Sequence, residues 1–255
     1  MLTGVTPVIL TYNEEPNIDR TLQRLVWAHA IVIVDSHSSD RTCEIARRYT
    51  QARVVQRRFD SHAAQWNFAV HETGVETEWV LALDADYVLS AALVAEIAAL
   101  RPSTDIAGYQ ACFRYCVGGR PLRGSLYPPV TILFRRGLGH YRQDGHTQRL
   151  QLRGATARLR APVLHDDRKP LSAWLAAQDR YMRLEAEALV ERRWRDLSWP
   201  GRVRKYTWLA PLLVPGYCLV VQRGLLDGRA GGYYALQRML AEVLLRLRLW
   251  DADRP

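Results

Sequence analysis

The sequence contains little cysteine and lacks the features of a disulfide-stabilised secreted protein. Its 255 residues include four cysteines, and no two of them form a CxxC pair. Neither a disulfide framework nor a zinc site is therefore indicated. The first residues show no basic start followed by an apolar segment and a cleavage site, and a strand-like run begins within five residues. We expect reduced, structural cysteines in a cytoplasmic protein.

The glycine-rich loops that bind nucleotide phosphates are missing as well. No GxGxxG follows the first predicted strand, and no GxxxxGK[ST] occurs anywhere in the chain. The nucleotide sites that depend on those loops are thus disfavoured. Residues 1–100 carry 8 Lys and Arg against 13 Asp and Glu, so a phosphate-bearing ligand would need a divalent cation to offset the repulsion.

The chain has no clear membrane-spanning segment. An uncharged stretch, 206–222, has 17 residues, which is at the lower edge for a transmembrane helix. Three residues interrupt it, namely Pro211, Pro215 and Gly216. Basic residues flank it, namely Arg202, Arg204, Lys205 and Arg223. We expect a helical hairpin or interfacial helices over 202–223, with arginines facing lipid headgroups. A buried helix pair or an oligomer contact is the alternative.

Positive charge is concentrated in the later part of the chain. The net charge is +9, and residues 101–255 contain 27 Lys and Arg against 13 Asp and Glu. Such asymmetry suits an anionic membrane surface, an anionic glycolipid or nucleic acid. A solvated arginine-rich surface is the plain structural alternative.

Strands and helices alternate in the first part of the chain. Apolar runs predict strands at 5–11, 31–35, 52–56 and 79–83. Helical patterns lie between them at 18–27, 42–49 and 66–71, with Asn17 as a plausible N-cap. This order predicts a parallel sheet with helices on both faces. Acidic residues follow three strands, so Glu14, Asp35 and the pair Asp84 and Asp86 should share the carboxyl edge of the sheet.

The stretch 79–88 is central to this arrangement, because a buried strand ends there in Asp84-Ala85-Asp86. Two aspartates at i and i+2 can point the same way and bind one divalent cation. The tripeptide alone is weak evidence, since Asp251-Ala252-Asp253 repeats it without a preceding strand.

The remaining chain is predicted in two parts. Strand-like runs at 106–116, 130–135 and 155–164 surround a glycine- and proline-rich loop at 118–129. Helical patterns follow at 172–193 and 233–250. The last helix places Leu236, Leu240, Val243, Leu244 and Leu247 on one face and Arg238, Glu242 and Arg246 on another. We expect one domain over 1–170, with halves at 1–100 and 101–170, and a helical extension over 171–255.

Four segments in this order resemble the inverting, GT-A-type enzymes of glycosyltransferase family 2. They are Thr11-Tyr12-Asn13-Glu14-Glu15-Pro16-Asn17-Ile18, Ile33-Val34-Asp35-Ser36 with Ser39-Asp40-Arg41-Thr42, Gln65-Trp66-Asn67-Phe68-Ala69, and Leu83-Asp84-Ala85-Asp86. Three later segments resemble the lipopolysaccharide-core β-1,4-glucosyltransferases of the WaaE/KdtX type. They are Leu133-Phe134-Arg135-Arg136, Arg180-Tyr181 to Glu185-Ala186, and Gly224-Leu225-Leu226-Asp227-Gly228.

The resemblance implies a GT-A (Rossmann-like) fold, with a mixed, mainly parallel sheet and a C-terminal helical extension for membrane contact or oligomerisation. It implies a nucleotide-diphospho-sugar donor, with a UDP-sugar favoured, and Mg²⁺ or Mn²⁺. By the same resemblance, 1–170 would be the catalytic domain, with a nucleotide-sugar-binding half at 1–100 and an acceptor half at 101–170. Donor contacts carried over by resemblance are Thr11, Tyr12, Asn13, Glu14, Asp35, Gln65, Asn67, Asp84 and Ala85. The implied metal ligands are Asp86, Asp84 and His165. For His165, an ordinary buried structural role is the competing interpretation.

The sequence departs from these relatives at the residue expected to act as the base. An inverting transfer needs a group that accepts the proton of the acceptor hydroxyl, and a carboxylate suits this role. The subgroup has His-Glu after the Leu-Phe-Arg-Arg segment, whereas this chain has His146-Thr147, with Asp144 two residues earlier. Our hypothesis is that Asp144 is the base.

The favoured function is transfer of a sugar to a lipid-linked or lipopolysaccharide acceptor at the inner face of the cell membrane, without a nucleic-acid partner. A polyprenyl-phosphate glycosyltransferase is the alternative enzyme, although such enzymes usually carry clear transmembrane helices. A catalytically silent nucleotide-sugar-binding or scaffold protein is the alternative from another class. Nucleic-acid binding would explain the basic half but not the acids on the sheet edge. Assembly into a homo-oligomer is a further possibility that the sequence leaves open.

Overall fold

The fold is taken from a computed structural model, which describes residues 1–144 and 147–252. Residues group into two compact units. The first unit comprises Met1–Cys116 and Tyr127–Arg168, and the second comprises Val117–Leu126 and Lys169–Pro255.

The strands of the chain are β1 (Val5–Thr11), β2 (Ile31–Asp35), β3 (Ala52–Gln56), β4 (Trp79–Asp84), β5 (Tyr87–Leu89), β6 (Ile106–Ala111), β7 (Phe113–Val117), β8 (Arg120–Pro121), β9 (Val130–Arg135), β10 (Gly139–Asp144), β11 (Thr147–Leu152), β12 (Ala155–Arg158) and β13 (Val163–His165). The α-helices are α1 (Ile18–Gln23), α2 (Thr42–Ala46), α3 (His62–His71), α4 (Ala91–Ala99), α5 (Leu171–Glu191), α6 (Trp199–Tyr206), α7 (Ala210–Val220) and α8 (Arg229–Ala252).

A seven-stranded sheet forms the centre of the first unit. Its order is β12-β6-β9-β4-β1-β2-β3. The β4-β1-β2-β3 part is parallel, and only β9 runs antiparallel to its two neighbours. The predicted mixed, mainly parallel sheet flanked by helices is therefore confirmed. Strands β1, β2 and β4 are buried along nearly their whole length, as their continuous apolar runs predict.

Two apolar clusters cover the two faces of this sheet. On one face, Ile9, Ile33 and Leu83 pack with residues of α1 and α4. On the other, Val8 and Val34 pack with α3 and with Tyr141 of β10. Alternate residues of one strand thus contribute to opposite faces.

Several predicted elements are shorter or divided. Helices α1 and α2 end at Gln23 and Ala46, three or four residues before the predicted ends. The runs at 106–116 and 155–164 each form two strands rather than one. Ser90 caps α4 by accepting from the backbone N–H of Leu93 at 3.1 Å, as its position before the helix suggests.

The second unit is helical, with α5, α6, α7 and α8 as its main elements. Its core joins Met182, Ala186 and Leu189 of α5 to Ala241, Leu245 and Leu249 of α8. Within the described part of the chain, no helix is both long and apolar enough to span a bilayer.

Candidate functional site

The carboxyl ends of three parallel strands bring the predicted acidic residues to one edge. Thr11 at the end of β1 is in register with Asp35 at the end of β2, and Leu10 is in register with Asp84 at the end of β4. Neighbouring strands lie roughly 4.8 Å apart, so these residues form a continuous polar rim. Open α/β sheets bind their ligands at this edge.

Asp35 is a buried carboxylate that organises this rim. It is 0% exposed. Its Oδ1 accepts from Thr11 Oγ1 at 2.9 Å and from Ser38 Oγ at 2.5 Å, and its Oδ2 accepts from the backbone N–H of Ser38 at 2.9 Å. Burial alone would raise the pKa of Asp35, but the hydrogen bonds from Ser38 and Thr11 outweigh it and hold the pKa below its ordinary value. The predicted contact of Asp35 with the donor base stays a prediction. Ser38 Oγ links Asp35 to the loop after β1, because it donates to Asp35 and accepts from the backbone N–H of Asn13.

That loop is held by the turn after β2. The backbone N–H of Asn13 donates to Ser38 Oγ at 2.8 Å, and Asn13 Oδ1 accepts from the backbone N–H of Ser39 at 2.9 Å. Asn13 has φ of 52°, in the left-handed region that asparagine tolerates better than most residues. Tyr12 is 54% exposed, so its ring is free to face a ligand. The polar loop predicted after β1 is thus ordered by hydrogen bonds to the turn after β2.

Asn17 lies at the N-cap position of α1, as predicted, but its side chain does not cap the helix. Its side chain makes no cap hydrogen bond and is fully buried. Its Nδ2 donates to Glu14 Oε2 at 2.8 Å and to Asp167 Oδ1 at 2.9 Å. Its Oδ1 accepts from Arg20 at 2.7 Å and from the backbone N–H of Arg168 at 2.8 Å. Asn17 therefore joins the loop after β1 to the segment that follows β13.

Asp166 supports the same junction. Its carboxylate is 2.6 Å from Arg20 Nη1, and it also accepts from Arg168 Nε at 2.7 Å. Its backbone N–H donates to the carbonyl oxygen of Asp86 at 3.0 Å. The residues after His165 are therefore tied both to α1 and to the Asp84-Ala85-Asp86 turn.

The turn itself presents Asp86 toward His165. Asp86 Oδ2 lies 3.0 Å from His165 Nε2. Ala85 is 1% exposed, and its carbonyl oxygen accepts from Thr21 Oγ1 at 2.6 Å, which fixes the backbone between the two aspartates. Burial would lower the pKa of His165, but the charges of Asp86 and then Asp84 raise it above its ordinary value.

A divalent cation fits this donor set. Neighbouring ligands of an octahedral ion with bonds of about 2.1 Å are about 3 Å apart, which is the separation of Asp86 Oδ2 and His165 Nε2. Carboxylate oxygens suit both Mg²⁺ and Mn²⁺. An imidazole ligand such as His165 favours Mn²⁺ over Mg²⁺, because Mn²⁺ is a transition metal. Across 1–144 and 147–252, no three His, Cys, Asp or Glu side chains form a ready-made metal group. Asp86 and His165 supply two of the ligands that such an ion needs, and Asp84 precedes Asp86 by two residues.

Three tyrosines surround His165, a feature that the sequence analysis missed. The ring centroids of Tyr87, Tyr115 and Tyr127 lie 5.3, 5.0 and 4.8 Å from that of His165, each in an edge arrangement. His165 Nδ1 is buried and has no hydrogen-bond partner. The tyrosines thus fix the plane of the imidazole while Nε2 faces Asp86. Tyr87 follows the acidic pair directly, but Tyr115 and Tyr127 carry no local signal in the sequence.

Gln65 and Asn67 lie on α3, and the side-chain amides of both form hydrogen bonds with other residues of the chain. Gln65 is 0% exposed, and its amide donates to Ser36 Oγ at 3.1 Å and accepts from Arg57 Nη1 at 2.5 Å. Asn67 binds the backbone of Tyr141 through both ends of its amide. Their predicted contacts with the nucleotide stay predictions.

Asp144 ends β10, where its backbone pairs with Thr147 of β11. Its side chain, with residues 145–146, lies outside what the structure describes. The hypothesis that it is the base stays a prediction. Its strand is held against α3, since Ala63 N–H donates to Gln143 Oε1 at 3.1 Å.

Two curated relatives share part of the sequence. An uncharacterised glycosyltransferase of Rickettsia bellii (strain RML369-C) is 35% identical over 94 residues, which is 36% of this chain and 31% of that protein. The lipopolysaccharide core biosynthesis glycosyltransferase LpsC of Rhizobium meliloti (strain 1021) is 31% identical over 146 residues, 52% of this chain and 51% of that protein. The aligned part of the chain thus spans about a third and about half of these relatives' lengths.

Two solved structures share the fold. Mannosyltransferase PcManGT from Pyrobaculum calidifontis, in complex with GDP-Man and Mn²⁺, matches with a TM-score of 0.55 at 16% identity, covering 98% of this chain and 88% of that one. S. aureus TarS 1–349, in complex with UDP-GlcNAc, matches with a TM-score of 0.51 at 17% identity, covering 97% and 91%. Both likenesses concern the arrangement of elements. The sequence profile of glycosyl transferase family 2 matches residues 6–158, which include β1, the acidic turn and the β10–β11 hairpin, and the chain belongs to that family.

Proposed function

We propose that this glycosyltransferase moves a sugar, with inversion, from a nucleotide-diphospho-sugar to a lipid-linked or lipopolysaccharide-core acceptor, using Mg²⁺ or Mn²⁺. The observation that carries the proposal is the Asp86–His165 pair, 3.0 Å apart beside Asp84 at the carboxyl edge of the sheet. The name of the LpsC relative supports the acceptor class. The nucleotide sugars in the two matching structures, GDP-Man and UDP-GlcNAc, support the donor class, and the family resemblance favours a UDP-sugar.

The donor would lie along the rim formed by the loop after β1 and the ends of β2 and β4. Tyr12 is exposed there, and Thr11, Asn13 and Glu14 line the same loop. Asp35 and Gln65 are fully buried below this surface, where they bind Ser38 and Ser36 of the turn after β2. Asp84 and Ala85 would border the ribose and diphosphate.

Asp86 and His165, with Asp84, would hold the cation. When bound, a divalent ion offsets the charge that develops on the departing nucleoside diphosphate. The residues after His165 keep these ligands in place, since Asp166 and Asn17 bind the backbone or side chains on both sides of the site. Asp144 is proposed as the base that accepts the proton of the acceptor hydroxyl.

We further propose that 1–170 forms the catalytic domain and 171–255 an extension that brings the enzyme to its acceptor. Peripheral contact through 202–223 would place it at the cytoplasmic face of the cell membrane. The flanking arginines would meet anionic headgroups there.

A thermal-shift panel tests the donor site. Nucleoside diphosphates and nucleotide sugars are added with Mn²⁺, with Mg²⁺ or with chelator, to wild type and to Asp86→Ala. We expect a metal-dependent rise in Tm for at least one nucleotide, lost in Asp86→Ala. Asp251→Ala is the matched control, because Asp251-Ala252-Asp253 repeats the tripeptide in the sequence and Asp251 lies in α8, away from the sheet. No shift with any nucleotide would instead favour a catalytically silent member of the family.

The base assignment has its own test. Asp144→Asn should lose most transfer activity while keeping the metal-dependent nucleotide shift. Gln143→Glu is the neighbouring control, since it changes charge without removing the proposed base. Near-normal turnover in Asp144→Asn would contradict the assignment.

A further inference from the structure

Helix α8 exposes leucines on its outward side in addition to those, such as Leu245 and Leu249, that pack in the core of the second unit. Leu236, Leu240 and Leu247 are 60%, 36% and 50% exposed. On the other face, the side chain of Glu242 is only 12% exposed, and the Nε atoms of Arg238 and Arg246 are buried. The outward side of a surface helix in a globular protein ordinarily carries charged and polar residues, so this row of exposed leucines is unusual.

The inward charges are used within the second unit. Arg204 of α6 donates to Glu185 and to Glu242, both at 2.9 Å. Arg246 donates to the carbonyl oxygen of Lys205 at 2.7 Å, and its guanidinium lies 4.6 Å from the ring centroid of Trp208. Glu242 and Arg246 are therefore engaged within the second unit, beside the apolar core that α8 shares with α5. The exposed leucines Leu236, Leu240 and Leu247 take no part in that core.

Helix α7 and its flanks repeat the pattern. Leu209, Leu212, Leu213 and Val220 recur at helical spacing and are 52%, 70%, 55% and 68% exposed. No charged residue occurs between Tyr206 and Gln222. At one end the two apolar stripes meet, because the rings of Trp208 and Trp250 are 5.8 Å apart.

We call the combined surface the apolar face. It consists of Leu209, Leu212, Leu213, Val220, Leu225, Leu226, Leu236, Leu240, Leu247 and the rings of Trp208 and Trp250. Large exposed apolar residues gathered on helices that pack together, as α7 and α8 do, mark an interaction site.

Charge decides which partner suits this face. The second unit contains 17 Lys and Arg against 9 Asp and Glu, a net +8, whereas the first contains 18 against 17. Residues 197–226 include four basic residues and no acidic one. Two such faces would repel each other, so a second copy is a poor occupant, whereas an anionic bilayer offers opposite charge and an apolar interior.

The aromatic residues agree with a bilayer. Trp199, Tyr206, Trp208 and Trp250 are between 46% and 73% exposed. Tryptophan and tyrosine are enriched at the level of lipid headgroups, where an apolar ring with a polar tip is favoured. Because no helix in the described ranges is suited to cross the membrane, the helices would lie in the interface plane.

We propose that the apolar face, including the outward side of α8 beyond 202–223, docks on an anionic lipid bilayer. This deepens the proposed function, on which it rests for the idea that the acceptor is lipid-borne. Docking would bring the enzyme to acceptors held in the same leaflet.

Co-flotation with vesicles tests the proposal. The full-length protein is mixed with phosphatidylcholine vesicles or with vesicles containing phosphatidylglycerol. We expect wild type to float with the anionic vesicles and to bind less as salt is raised. Leu212→Glu with Leu240→Glu should lower the bound fraction at least about tenfold, because two charges would enter the acyl boundary. Arg223→Gln should weaken binding to anionic vesicles and make the remaining binding less sensitive to salt.

Val26→Glu is the matched control, because Val26 is 65% exposed on the first unit. The nucleotide-dependent thermal shift is recorded for each variant and is expected to be unchanged, which separates loss of docking from loss of the donor site. Absence of wild-type binding to anionic vesicles would overturn the proposal. So would a stable dimer in analytical ultracentrifugation that the double variant dissociates, since that would assign the face to a second copy.

Discussion

Asn67 binds the backbone of Tyr141 with both ends of its side-chain amide, donating to the carbonyl oxygen and accepting from the N–H, each at 2.8 Å. The ring of Tyr141 also stacks on Trp66 with centroids 5.4 Å apart. These contacts hold β10 against α3. They place Asn67 as a positioning residue for the strand that ends at Asp144.

Asn67→Asp tests this relationship. A carboxylate has nearly the same shape but cannot donate to the carbonyl oxygen of Tyr141 and would repel it. We expect a loss of about 1–3 kcal/mol in the free energy of unfolding, measured by urea denaturation. The rate of sugar transfer should fall, whereas the nucleotide-dependent thermal shift should persist.

Glu72→Gln, at the exposed C-cap of α3, is the control for a change of charge on this helix. If Asn67 instead touches the nucleotide directly, as the family resemblance implies, Asn67→Asp will abolish the nucleotide shift while leaving stability nearly unchanged.

Asn17→Ala should be among the more destabilising single substitutions in the first unit. The fully buried amide makes four hydrogen bonds, and its removal would leave the N–H of Arg168 and the carboxylates of Glu14 and Asp167 without this partner. We expect a loss of about 3 kcal/mol, at the upper end for a buried polar group. Gln23→Ala, at an exposed position of α1, should cost no more than about 0.5 kcal/mol. Equal effects of the two substitutions in urea denaturation would exclude the role assigned to Asn17.

The central sheet was predictable because its strands are buried on both faces. Runs such as 31–35 contain only apolar residues until the acid at the end, so their type and bounds follow from composition alone. The rim of the site follows from the same logic, since Thr11, Asp35 and Asp84 are each the last residue of a parallel strand.

Contacts between distant segments were not predictable. Asn17 precedes a helix and has the side chain of an N-cap, yet its partners Asp167 and Arg168 lie 150 residues away. Local sequence carries no information on such partners. Helix α8 is a similar case. Its leucines are evident from the sequence, but Leu245 is buried against α5 whereas Leu236 is exposed, and this difference depends on the packing of other helices.

The cysteines should differ sharply in reactivity. Cys112 is exposed, whereas burial raises the pKa of Cys116 to about 11, and burial together with Asp35 raises that of Cys43 to about 11. A thiol with a pKa of 11 is only about 0.1% thiolate at pH 8, and the thiolate is the reactive form. We expect one fast-reacting thiol with a chromogenic disulfide reagent in native protein at pH 8. Cys112→Ser should remove that fast phase, and its survival would contradict the assignment.

Asp35 should make the stability of the first unit depend on pH in the acid range. Its pKa in the folded protein is lowered, so its hydrogen bonds contribute fully above the unfolded value of about 3.9 and are lost as pH falls through the lower folded value. Stability should therefore rise with pH through that window and level off above about pH 5.

Asp35→Asn removes the titration and weakens the bonds from Thr11 and Ser38, so we expect a deficit of about 1–3 kcal/mol in the free energy of unfolding at pH 6. Urea denaturation from pH 3 to 7 should show this deficit shrinking below about pH 4. The surface variant Asp196→Asn serves as the control, and a deficit of Asp35→Asn that stays constant across the whole range would show that ionisation of Asp35 is not its cause.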